Sequence, residues 1–184
     1  MIAAGIKKIL YCETSEITAD LTPALVKALI AKPGIGQINN VHGESWNLEE
    51  SEASVTPYKN QLNGQTYRHA TTPGDITPSF SIGQYDYKSK ADLLGGSVIE
   101  AGTEGNKTAI GWKRSIEQTE IYKALFCLTE DGIWFIFPKC MIISREANTD
   151  KAIAIAVKGL VETPDIQNIS SEYNFDKAAI DAAQ

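Results

Sequence analysis

Residues 76–96 read ITPSFSIGQYDYKSKADLLGG, and the architecture turns on this stretch. Its first half has the pattern of a strand. Ile76, Phe80 and Ile82 recur at even spacing, which sets side chains on one face of a pleated sheet. Its second half has the pattern of a helix with both ends marked. Asp86 offers a carboxylate to the unpaired N–H groups of a first turn. Gly95 supplies the left-handed exit that stops a helix after Leu94. Between these ends Tyr87, Ala91 and Leu94 share one face at i, i+4 and i+7. One capped helix inserted among strands predicts a β domain with a helix packed on it.

Beyond that stretch the chain is rich in strand patterns on both sides. Residues 97–101 and 109–113 read as strands split by a loop at Gly102 to Asn106. Residues 121–129 and 133–144 are apolar, β-branched and aromatic, and Glu130, Asp131 and Gly132 form a tight hairpin turn between them. Pro138 cannot donate to a ladder, so it is expected at a bulge or an unpaired position. Residues 151–161 alternate, with Ile153, Ile155 and Val157 on one side and Ala152, Ala154 and Ala156 on the other. That pattern predicts a strand covered on both faces.

Toward the start, residues 6–12 read as a first strand. Thr22 can cap a helix whose first turn admits Pro23, because the missing N–H costs nothing there. Ala24, Leu25, Ala28 and Leu29 continue it, and Pro33 with Gly34 stops it. Residues 35–40 and 45–50 look extended. Residues 56–75 are polar and full of turn formers, and read as a long protruding hairpin loop with a type I′ turn at Asn63 and Gly64. Loops of this length in compact domains usually bind something. The expected organisation is one mainly β domain over residues 1–162, a β-sandwich or partly open barrel with one or two packed α-helices. A polar, acidic C-terminal tail follows over residues 163–184, with a weak helix from Phe175 onward or a mobile end.

The formal net charge of -6 argues against a surface that grips nucleic acid, which needs clustered Lys and Arg. No apolar run is long enough to span a bilayer. Lys7 and Lys8 interrupt the apolar start, so it does not read as a signal peptide, and synthesis in the cytoplasm is expected. The three cysteines, Cys12, Cys127 and Cys140, have no metal-like spacing and read as buried small hydrophobes. A Cys127–Cys140 disulfide is conceivable across a hairpin, but a reducing compartment disfavours it.

Chemistry is hard to find. His42 and His69 are the only histidines, each in a polar, turn-like context, and no nucleophile elbow accompanies them. His42, Glu44 and His69 lack the spacing of a metal site. Gly34 and Gly36 follow a helix instead of opening one, so they do not form a phosphate cradle. Glu49, Glu50 and Glu52 could be paired acids, but a run of acids is ordinarily a solvated face. Lys59, Arg68 and Lys88 are too dispersed for a nucleic-acid patch. Trp46, Trp112 and Trp134 read as core or interface anchors. No residue is assigned to catalysis, to a cofactor or to a metal.

With those residues set out, the chain resembles the phage tail tube (major tail) protein family over residues 6–161. The likeness lies in an ordered set of features. They are the N-terminal apolar strand, the acidic segment from Trp46 to Glu52, and the polar loop with YKNQLNG at 58–64 followed by Tyr67 and Arg68. The strand–helix unit FSIGQYD at 80–86, ending ADLLGG at 91–96, comes next, then the closing hairpin and the alternating strand. The resemblance implies a β-barrel or sandwich flanked by a helix, similar to type VI secretion tube proteins. It implies hexameric rings stacked head to tail in a virion tail, with tape measure and tail terminator proteins as partners. DNA would pass without specific binding. The alternatives left open are a non-catalytic carbohydrate- or peptide-binding module using Trp46 or Trp112, and a small enzyme using His42 or His69.

Overall fold

The computed structural model describes residues 3–117, 119–149 and 152–183. Met1, Lys151 and Gln184, which bound expected segments, lie outside them. The strands are β1 Lys8–Glu13, β2 Gly36–Ile38, β3 Asn47–Glu50, β4 Ser54–Lys59, β5 Thr66–Thr72, β6 Ile76–Ile82, β7 Ser97–Ala101, β8 Thr108–Lys113, β9 Ile121–Leu128, β10 Ile133–Thr149, β11 Ala152–Val161 and β12 Tyr173–Asp176. The helices are α1 Pro23–Ile30, α2 Tyr87–Leu94 and α3 Lys177–Ala182, with a 3-10 turn at Thr14–Glu16. The fold is mainly β, all pairings are antiparallel, and no barrel closes. No helix among the described residues is long and apolar enough to cross a membrane.

One eight-stranded sheet forms the body, in the order β2-β1-β9-β10-β11-β6-β3, with β12 added on β10. The β9–β10 hairpin is its centre. All five residues from Ala124 to Leu128 are buried, because side chains of both parities enter a core. Leu125 and Cys127 point into one cluster with Ile9, Phe80, Ile82, Ile155, Val157 and Leu93 of α2. Ala124, Phe126 and Leu128 point into another with Leu10, Trp134, Ile136, Val26 and Leu29 of α1, and Ile180 of α3.

Pro138 sits where the β9–β10 register slips, between Phe137 and Cys140, as expected of a residue with no N–H to give. The slip inserts one residue and so reverses parity. Phe137 and, beyond it, Cys140 and Ile142 then all face the first core. The sheet also branches here. Before the bulge β10 pairs β12, and after it β10 pairs β11.

Residues 163–183 are therefore not a separate tail. Phe175 pairs Trp134 across the β12–β10 ladder, Ile169 is buried, and Ile180 is fully buried against α1. The Tyr173 hydroxyl donates to Asp20, and the Lys27 ammonium donates to the Asp181 and Ala183 carbonyls. Polar composition hid this because only a few apolar residues, spaced as strand then helix, carry the contact. The helix starts at Lys177, two residues after Phe175.

Both long helices begin as their caps dictate. Thr22 Oγ1 accepts from the Leu25 N–H, and Asp86 Oδ1 accepts from the Ser89 N–H at 2.6 Å. That bond holds the Asp86 carboxyl below the usual carboxylate range. Two details of α2 depart from expectation. Gly95 ends it at φ 77, ψ -176, an extended region open essentially to glycine alone, and not at the left-handed helical exit. The inward residue is Leu93, while Tyr87 is 42% exposed.

The alternating strand β11 is covered on both faces only in part. Ala154, Ile155 and Val157 are buried, whereas Ile153 is 63% exposed. The reason is lateral. β6 pairs β11 from Ile155 to Lys158 and stops there, so Ile153 runs past its neighbour's end. Ile155 is the sharper test of the face assignment. Ile155→Asp is expected to lower stability by about 4 kcal/mol, since the carboxylate would have no partner in the core. Thermal unfolding would measure it, and an unchanged midpoint would refute the assignment.

Candidate functional site

Two ribbons leave this body. The larger continues the β3–β6 ladder outward in the same register. Glu50 pairs Ile76, the Ser51 N–H donates to the Asp75 carbonyl at 3.0 Å, and Ser54 then pairs Thr72. At the root the strands nearly touch. A Cβ on Gly74 would lie 1.7 Å from the Ser51 carbonyl oxygen, so only glycine fits. The Ser51 hydroxyl oxygen accepts from the Asp75 N–H at 2.8 Å and closes the root.

From Ser54 on, β4 and β5 form an arm whose residues are all exposed except the half-buried Asn60 and Ala70. Eight residues from Ser54 to the tip carry it roughly 25 Å at ~3.3 Å per residue. The region expected as a loop over residues 56–75 is thus an ordered hairpin. Val55, Tyr58 and Tyr67, with threonines between them, are strand formers that a reading centred on the turn residues passes over.

The tip differs from the type I′ turn expected. Gly64 has φ 70, but Asn63 is not at positive φ. The turn runs from Asn60 to Gln65, with the Asn60 N–H donating to the Gln65 carbonyl at 2.8 Å. Asn60 Oδ1 accepts from the Leu62 N–H, and Asn63 Oδ1 accepts from the Gln65 N–H. Two asparagine side chains thus satisfy the tip amides, and no two-residue turn is needed. Leu62 stands at the tip, 95% exposed, and Tyr67 is 71% exposed below it. Arg68 lies over the Tyr58 ring at 5.8 Å on one face.

The second ribbon, β7–β8, is latched to the body. The Trp112 indole N–H donates to the Gly95 carbonyl at 2.9 Å. The Lys90 ammonium of α2 lies 4.3 Å from the Trp112 ring centre, and the Arg114 guanidinium 5.2 Å from it. Glu146 of β10 pairs with both cations, and Lys90 above all holds its carboxyl below the ordinary range. Lys90 is therefore turned inward, which explains why α2 faces the body through Leu93. Sequence reading missed this group because its members are brought together only across three elements.

The residues singled out from sequence do not converge. His42 lies in a turn stitched to β6, its N–H donating to the Ser81 carbonyl at 2.8 Å and its carbonyl accepting from the Ser45 hydroxyl. His69 is on the exposed arm. Glu49 and Glu50 stand exposed on edge strand β3, beside Glu52 at the arm's root. Among the described residues no group of three or more His, Cys, Asp or Glu stands together as a metal ion would require. Trp134 is buried in the second core, and Trp46 packs half-buried on the first.

The cysteines are free, so Cys127 and Cys140 are not joined. Burial pushes both thiols up. Cys12 is pushed up to about 12, first by burial and then by Glu16 and Glu13. A small cavity beside it, lined by Tyr11, Glu13, Glu16, Lys32, Lys88 and Asp92, carries both signs of charge. Glu16 there already pairs Lys32, and the Tyr11 hydroxyl donates to Asp92 at 3.0 Å. No protein-family model matches this chain, and no curated protein sequence does.

The β4–β5 arm carries the exposed side chains Val55, Tyr58, Leu62 and Tyr67. An isolated two-stranded hairpin is marginal in water, and this one shows apolar side chains to solvent. Two outcomes follow from the local structure. Gly74→Ala should force the arm's root apart, speeding amide exchange over residues 54–72 by about tenfold, or roughly 1.4 kcal/mol of local stability. The melting midpoint of the body should move little, and unchanged exchange in the arm would refute the packing at the root. A thiol reagent at pH 8 should label none of the cysteines quickly in the native state and all of them after unfolding. Fast native labelling of Cys12 would contradict its raised pKa.

Proposed function

We propose that this chain is a structural subunit of a phage or prophage tail tube, built from hexameric rings stacked around a conduit for DNA. The observation that carries the reading is the arm over residues 54–72. It is ordered, it projects from the body, and it leaves Val55, Tyr58, Leu62 and Tyr67 in water. Such a ribbon gains its missing burial from another molecule. In a stacked ring the contact is head-to-tail and does not close along the axis, so one arm per subunit suffices.

Other features support the same reading. The short edge strands β2 and β3 and the open edges of both ribbons are hazards in a monomer and joints in an assembly. The net charge of -6 suits a conduit that must not hold phosphates. Trp112 has cations against its ring from Lys90 and Arg114, which leaves it a poor platform for a sugar and favours assembly over a carbohydrate-binding module.

Negative-stain microscopy of concentrated protein should reveal rings or tubes about six subunits in circumference. A particle that stays monomeric at every concentration, even beside tail initiator proteins, would sink the proposal. Replacing residues 54–72 with two glycines should leave a folded subunit with a near-normal melting midpoint that no longer stacks. Normal tubes from that variant would refute the role of the arm.

A further inference from the structure

The sequence segregates charge between two regions. Residues 53–74, which include the arm, hold Lys59, Arg68 and His69 and no acid. Residues 159–176 hold Glu162, Asp165, Glu172 and Asp176 and no base. The acidic segment forms one wall of a cleft at the branch point of the sheet. Ile17, Pro138, Pro164, Ile166 and Ile169 line that cleft together with the ion pair Lys139–Asp165. Its volume is about 250 Å³, less than the pockets that hold drug-sized ligands, and of a size for one or two aliphatic side chains.

We infer that the tip of the arm, led by Leu62, seats in this cleft on a second copy of the chain. The inference rests on the self-assembly reading and names the surface that receives the arm.

Three properties match. Leu62 is 95% exposed at the end of a ribbon long enough to reach a neighbour, and no described residue of its own chain covers it. The cleft is open, and Ile166 on its wall is 43% exposed, so one apolar group would fill what the other lacks. The rim charges then oppose. Asp165 is 83% exposed at the side chain and, with Glu162, shares the single cation Lys139, leaving one negative charge uncompensated in that group. Arg68 and Lys59 of the incoming arm supply the opposite sign. An apolar anchor in a small pocket with complementary charges around it is the usual anatomy of a specific contact. The cavity beside Cys12 is a poorer match. Its walls mix Leu29 and Ile35 with five charged side chains, Glu13, Glu16, Lys32, Lys88 and Asp92, against only Lys139 and Asp165 in the cleft at Pro138, and Glu16 there already pairs Lys32.

The test is a directed cross-link in the full chain. Leu62→Cys and Ile166→Cys are made separately, each with Cys12→Ser to remove the half-buried thiol, then mixed and oxidised with diamide. A mixed disulfide dimer is expected, growing with protein concentration. Ile166→Asp, at a partly exposed position, should fold with a near-normal melting midpoint and associate roughly tenfold more weakly in sedimentation velocity. Chains that associate or form tubes without the mixed disulfide overturn the cleft and leave the tube reading standing. Wild-type association by Ile166→Asp overturns the cleft as well. A wild-type chain that is monomeric at all concentrations overturns both.

Discussion

The β9–β10 hairpin must hide both of its faces from water, and most of the body is arranged around that demand. Leu125 and Cys127 enter one core, while Ala124, Phe126 and Leu128 enter the other. Each fully buried aliphatic or aromatic side chain contributes roughly 2 kcal/mol by leaving water, so neither face can be left open. α1 and α3 supply the cover on one side through Val26, Leu29 and Ile180. β6, β11 and Leu93 of α2 supply it on the other. Pro138 makes the two arrangements compatible. Its one-residue slip keeps Phe137, Cys140 and Ile142 in one core while the partner strand changes from β12 to β11.

The same accounting separates body from arm. A strand inside the sheet is held by two neighbours and two cores, whereas β4 and β5 are held only by each other. Local opening is therefore least costly in the arm, beyond the close-packed root at Ser51 and Gly74. The β7–β8 ribbon is also two-stranded, but Lys90, Trp112, Arg114 and Glu146 tie it to α2 and β10. The chain thus presents one ribbon joined to the body only at its root and one tied to it by side chains. For a subunit proposed to stack, that division is useful.

The elements that sequence alone revealed are those whose signal is local. The caps Thr22 and Asp86, the turn at Gly132, the bulge at Pro138 and the alternation around Ile155 each depend on a few adjacent residues and on backbone chemistry. Errors arose where the outcome depended on a distant partner. Ile153 alternates as Ile155 does but has no β6 beside it. Tyr87 fits an apolar helical face, yet Lys90 takes the inward position because Trp112 and Glu146 wait there. Residues 163–183 look like a polar tail until the free edge of β10 and the surface of α1 are in place to receive Phe175 and Ile180.

The amino-acid order by itself determined a mainly β chain with capped helices, an acidic balance and a protruding segment over residues 56–75. Those follow from hydrogen-bond geometry, side-chain periodicity and formal charge, which act within a few residues. Only the tertiary structure decided that the protruding segment is a paired ribbon, that the C-terminal residues complete the sheet, and that a small cleft forms where residues 164–169 meet Ile17 and Pro138. Each of these is a relation between surfaces far apart in the chain, and its energy exists only once packing has brought them together.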